Sequence, residues 1–74
     1  MFYQALRSVS MAITILRLPK ILKRTGLSRS SIYLRISKGD FPQSISLGGR
    51  AVGWLEDEVE DWLKEKIEAS KVNS

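Results

Sequence analysis

The chain contains no cysteine and no histidine. The first absence excludes a disulfide framework and any thiolate metal site. The second removes the commonest general base and the commonest metal ligand. An enzyme is therefore a poor expectation; no catalytic residue, metal site, cofactor or small-molecule substrate is expected. Long apolar runs are missing too. Nothing approaches the roughly 20 residues that span a bilayer, and Arg17 interrupts the best candidate. The first nineteen residues lack acids, as a targeting peptide does, but carry no small-residue cleavage pattern. The expectation is a cytoplasmic protein with no membrane partner.

Acids are scarce over most of the chain. Residues 1–54 hold nine Lys/Arg and one acid, Asp40, for a net +8, whereas residues 55–74 hold three Lys and seven acids, for −4. A basic body joined to an acidic terminal segment suggests one face for a polyanion and another turned away from it. With 74 residues, one small domain is expected, near the size where a single core is only marginally stable.

The organising stretch is Thr25-Gly26-Leu27-Ser28-Arg29-Ser30-Ser31-Ile32-Tyr33. Before it, Leu18-Pro19-Lys20-Ile21-Leu22-Lys23-Arg24 reads as a short helix, with Pro19 at a first-turn position where its missing N–H costs nothing. Gly26 stands where that helix must stop in a left-handed residue. Ser28 stands where a side chain must cap the next helix. That second helix is expected from about Arg29 to Lys38, with Ile32 and Ile36 inward and Gly39 ending it. Ser30, Ser31, Leu34 and Lys38 fall on the opposite side; Arg29, Tyr33 and Arg35 lie toward the edges.

Phe41-Pro42 breaks the helical pattern. Ser44-Ile45-Ser46-Leu47 and Ala51-Val52-Gly53-Trp54 then alternate with period two around Gly48-Gly49, a hairpin signal. An even loop count puts Ile45, Leu47, Val52 and Trp54 on one face, with Arg50 at or beside the tip. A brief extended segment is expected at Ile13–Ile15, and a last helix from about Leu55 to Ala69. Its stripe of Leu55, Val59, Trp62, Leu63 and Ile67 reads as core, and its acidic first turn suits the helix dipole. Residues 1–12 are read as a flexible arm, 13–69 as the folded domain and 70–74 as a frayed tail. The expected fold class is mainly α with a small β-hairpin, a winged helix-turn-helix.

Such a unit points to double-stranded DNA. The candidate contacts are Ser28, Arg29, Ser30, Ser31, Tyr33, Leu34, Arg35 and Lys38 on the second helix, and Arg50 on the wing. The arginines suit either guanine or phosphate, a choice the residues leave open. Tyr33 suits either a backbone contact or partial burial. Lys20, Lys23 and Arg24 are expected to add only to the general field. A domain this small gains specificity through repeated sites and self-association on DNA. A protein-binding adaptor using the acidic last helix is a weaker reading.

Leu16-Arg17-Leu18-Pro19, Arg24-Thr25-Gly26-Leu27-Ser28-Arg29-Ser30, Ile32-Tyr33, Gly39-Asp40-Phe41-Pro42 and Leu47-Gly48-Gly49-Arg50-Ala51-Val52-Gly53-Trp54 together resemble the AlpA family of prophage regulators. The resemblance covers about residues 13–67, and Gly-Arg-Ala-Val-Gly-Trp is its most specific segment. It implies a compact winged-helix variant related to the excisionases and to MerR-type DNA-binding domains. It also implies a transcriptional regulator of a prophage or integrative element, acting on integrase expression, or an excisionase-like architectural factor. One departure stands out. Where the family often has Ile-Tyr-Arg-Leu-Ile, this chain has Ile32-Tyr33-Leu34-Arg35-Ile36, so the family's arginine contact does not carry over to position 34.

Overall fold

The computed structural model describes residues 13–73; the expected arm at 1–12 and Ser74 lie outside them. In order come β1 (Ile15–Leu16), α1 (Leu18–Thr25), α2 (Arg29–Ser37), β2 (Ile45–Gly48), β3 (Ala51–Leu55) and α3 (Glu56–Asn73). The architecture is the expected winged helix-turn-helix. The strands form an antiparallel sheet in the order β1-β3-β2. The expected extended segment is thus a true strand, displaced to Ile15–Leu16, with Ile15 opposite Leu55 and Leu16 opposite Trp54. The last helix continues past the expected end at Ala69 to Asn73.

Local chemistry explains the helix-turn-helix. Pro19 occupies the first turn of α1, and Gly26 closes the helix at φ 74°, its N–H donating to the Leu22 carbonyl. The Thr25 hydroxyl donates to the Ile21 carbonyl at 2.8 Å and accepts the Leu27 N–H at 3.1 Å, tying the turn to the helix it leaves. The Ser28 side chain then accepts the Ser31 N–H at 3.2 Å, satisfying one orphan donor of α2. Gly39, at φ 75°, follows the end of α2 as expected.

Each helix and strand except β2, and the linker after α2, gives the core one buried apolar side chain: Leu16, Ile21, Ile32, Phe41, Trp54 and Val59. Leu18, Leu22, Leu27, Ile36, Val52, Trp62 and Leu63 pack around them. Helices as short as α1 and α2 are unstable alone, so this shared contact holds them. The two tryptophans also pin the linker between α2 and the hairpin. Trp54 Nε1 donates to the Pro42 carbonyl at 3.0 Å and Trp62 Nε1 to the Asp40 carbonyl at 2.7 Å. Phe41 meets Trp62 edge-on at 4.8 Å between ring centroids. Of the expected α3 stripe, Leu55 belongs to β3 instead, and Ile67 is exposed.

The hairpin corrects one expectation. Ile45 pairs with Gly53, Ser46 with Val52 and Gly48 with Ala51, with a register shift between Ser46 and Gly48. Cross-strand partners share a face, so Val52 and Trp54 point to the core, while Ile45 turns with Gly53 to the other face. Ile45 and Leu47 are accordingly exposed. The irregularity around Leu47 separates the faces that a regular even loop would have joined. It is closed by the Ser46 hydroxyl accepting the Gly48 N–H at 3.3 Å, and it uses Gly48 at φ 109°, a conformation L residues rarely adopt. The turn itself moves one residue, to Gly49–Arg50.

Candidate nucleic-acid interface

The α2 helix buries Ile32 completely and Ile36 partly. Its opposite face carries Ser30, Ser31, Leu34, Ser37 and, just beyond the helix, Lys38. All of these are exposed except Ser31, which is half-buried. Leu34 and Tyr33 are 55% and 44% exposed. Small side chains let the helix backbone approach a flat or grooved partner closely. Ser37 does not project, because its hydroxyl donates back to the Leu34 carbonyl at 2.7 Å. Ser28, Arg29, Ser30 and Ser31 gather at the N-terminal turn, where unsatisfied N–H groups favour an anion.

The cations divide into two sets. Arg24 pairs with Glu56 at 2.9 Å and also with Glu60, which removes it from the general field and ties α1 to α3. Arg35 donates to the Asp40 carboxylate at 3.1 Å, and its guanidinium lies 5.8 Å from the Trp62 ring centroid. Of the candidate cations Arg29, Arg35, Lys38 and Arg50, Arg35 alone is thus engaged elsewhere. By contrast, Lys20, Lys23, Arg29, Lys38 and Arg50 are exposed and make no ion pair among the described residues. Arg50 sits in the turn at the tip of the hairpin, away from α2 in sequence and leading directly into β3, the central strand of the sheet.

Two residues that sequence reasoning did not single out position this surface. Arg17 Nε donates to the Val52 carbonyl at 2.8 Å, joining the start of α1 to the wing strand. Asp40 joins α2 to α3. Its N–H bonds the Arg35 carbonyl at 2.8 Å, its carboxylate receives Arg35 and, at 3.0 Å, Lys66, and its carbonyl receives Trp62. The hydrogen bond from Lys66 and the charges of Lys66 and Arg35 outweigh desolvation and hold the Asp40 carboxyl below the usual carboxylate range. A signal for Asp40 was present: it is the one acid in an otherwise basic stretch of 54 residues.

The acids face another partner or none. An open groove of about 640 Å³ runs between residues 39–45 and α3, with Glu58, Asp61 and Glu65 along it. A polyanion is repelled there. Among the described residues no group of three or more potential metal ligands occurs, and no helix is long and apolar enough to cross a membrane.

The family model for the prophage CP4-57 regulatory protein AlpA matches residues 14–67. The chain belongs to the AlpA family. Within it, the chain is 48% identical over 56 residues to the uncharacterized ORF88 protein of Enterobacteria phage P4, covering 76% of this chain and 64% of that one. It is 36% identical over 61 residues to the DNA-binding transcriptional activator AlpA of Escherichia coli K12, covering 74% of this chain and 87% of that protein. This AlpA-family chain therefore spans a little under two thirds of the phage P4 relative's length and most of the bacterial one's. The matched segment contains the helix-turn-helix, the linker, the hairpin and the packed part of α3.

Proposed function

We propose that this AlpA-family protein is a transcriptional regulator that binds double-stranded DNA, inserting α2 in the major groove and laying the β2–β3 hairpin along the flanking backbone. The observation that carries the reading is the sorting of charge. The unpaired cations Arg29 and Lys38 stand at the two ends of α2 and Arg50 tops the wing, whereas the acids gather on α3. Ser28, Ser30 and Ser31 meet phosphate or base edges, Tyr33 reaches the backbone through its hydroxyl, and Leu34 lies against the groove. Arg35 acts at one remove, holding α2 to the linker through Asp40. The relative in Escherichia coli, named for DNA binding and activation, supports the same reading. The gene controlled would be that of a prophage or integrative element, with a neighbouring integrase gene the first candidate. Copies bound side by side at repeated sites would supply the specificity that one small domain lacks.

The test is binding of duplex DNA as a function of salt. If Lys20, Lys23, Arg29, Lys38 and Arg50 each displace a counterion, log K falls against log salt with a slope of about −4.5. Arg50→Ala should reduce that slope by about 0.9 and lower affinity on every sequence alike. No retention of any duplex at low salt would overturn the proposal. A footprint on DNA around the protein's own gene and the adjacent integrase gene then identifies the target.

A further inference from the structure

Leu34 stands at the centre of the outward face of α2. On a helical wheel Ser30, Ser31, Ser37 and Lys38 surround it, and the Ile32–Ile36 stripe lies on the far side. It is 55% exposed, with no apolar neighbour on that face. A single exposed leucine is ordinary on a protein surface, and its setting is what gives this one meaning. The serines around it are short, and Ser37 is folded back onto the Leu34 carbonyl. When this face approaches a partner closely, the first side chain to touch is therefore apolar. The long donor beside it, Arg35, is held by Asp40 and lies against Trp62. The middle of the helix thus presents no bidentate donor for guanine.

Within the reading of α2 as the helix that enters the major groove, we infer that Leu34 reads thymine, by burying the 5-methyl group of one T·A pair against its own side chain. The thymine methyl is the one methyl group that a base presents in that groove, and apolar side chains discriminate it from cytosine and from the purines. Arg29 and Lys38 at the two ends of the helix fix it on phosphate, and the leucine supplies a base preference between them. Specificity from this residue is modest by nature. Burial of one methyl-sized group is worth about four-fold in affinity.

The test starts from 20-bp duplexes enriched on the immobilised protein from a random pool, at about 100 mM salt, with the tightest-binding duplex resynthesised with each thymine in turn replaced by uracil. Uracil lacks only the methyl group. The expected result is one position at which uracil lowers affinity about four-fold, Leu34→Ala lowering it by the same factor and becoming indifferent to uracil there. Leu34→Met, which keeps an apolar tip of similar reach, should retain the uracil sensitivity. Because the side chain is exposed, thermal unfolding of both variants should match the native protein. Uracil tolerated at every position, or undiminished sensitivity in Leu34→Ala, would overturn the inference while leaving DNA binding intact. Self-association that disappears in Leu34→Ala with no change in base preference would assign the residue to a second copy instead. Retention of no duplex at all would remove the DNA reading and this inference together.

Discussion

Gly53 offers the sharpest test of how the wing is built. It lies buried on β3, paired with Ile45, and a Cβ placed on it would stand 2.4 Å from Ile15 Cγ2, 3.2 Å from the Leu16 carbonyl oxygen and 3.3 Å from Leu47 Cδ1. Carbon atoms settle at about 3.5–4.0 Å, so the nearest of these contacts must open by more than an ångström. Ile15 cannot yield by swinging a flexible tip, because the γ2 methyl of a β-branched residue moves only with χ1 or with the backbone. The backbone there is β1, a strand of two residues whose pairing with β3 would be pushed apart. Overpacking of this kind costs about 1–3 kcal/mol. For a domain of this size each kcal/mol lowers the melting temperature by about 4–8 °C, so Gly53→Ala should melt about 4–24 °C below the native protein. Thermal unfolding followed by circular dichroism measures this, and urea unfolding should show a lower midpoint at an unchanged slope. The cause can be isolated by adding Ile15→Ala, which removes the obstructing methyl. The two changes should then be non-additive, the double variant being more stable than the separate losses imply by about 0.5–2 kcal/mol. A Gly53→Ala protein as stable as the native one, or strict additivity with Ile15→Ala, would refute the proposed packing of the outer sheet face.

Other predictions are more direct. Ile32→Ala, at a fully buried position shared by α2 and the core, should cost about 2–5 kcal/mol and abolish cooperative unfolding in so small a domain. Ser28→Ala should cost about 1 kcal/mol by removing the α2 cap, measured by urea unfolding. Asp40 carries a pH signature. Its carboxyl is held below the usual range in the folded protein, so its contribution to stability is present above the ordinary aspartate value and is lost as pH falls below it. The native protein should therefore lose more stability between about pH 4 and pH 2 than Asp40→Asn does, read from urea midpoints across that window. An identical acid profile in the two proteins would remove Asp40 from its bridging role.

The local punctuation of this chain was readable because local rules govern it. Pro19, Gly26, Ser28 and Gly39 each sit where a helix end demands them, and each performs that task in the fold. The alternation of 44–47 and 51–54 identified two strands for the same reason. The faces of those strands were not readable, since the irregularity at Leu47 depends on whether Trp54 or Ile45 wins the core, and a period-two pattern carries no memory of an added residue. The same limit applied to Arg35. A helical wheel places it at an edge near the groove-facing side, but only the folded chain brings Asp40 and Trp62 against it. Gly53 shows a third case: it lies in the most specific motif of the family, yet its reason is Ile15, which is far away in sequence.

The helix α3 has a consequence for the order in which the molecule comes apart. Its first half is anchored by buried Val59, by Trp62 and Leu63, and by the Arg24 pairs at Glu56 and Glu60, whereas residues 64–71 are all exposed. A helical stretch that buries no side chain opens at little free-energy cost, so amide protons beyond Lys66 should exchange with solvent by local fraying, while those of Val59 to Leu63 should exchange only when the whole domain unfolds. One continuous helix thus divides into two regions that exchange on different timescales, with the boundary at the residue that grips Asp40.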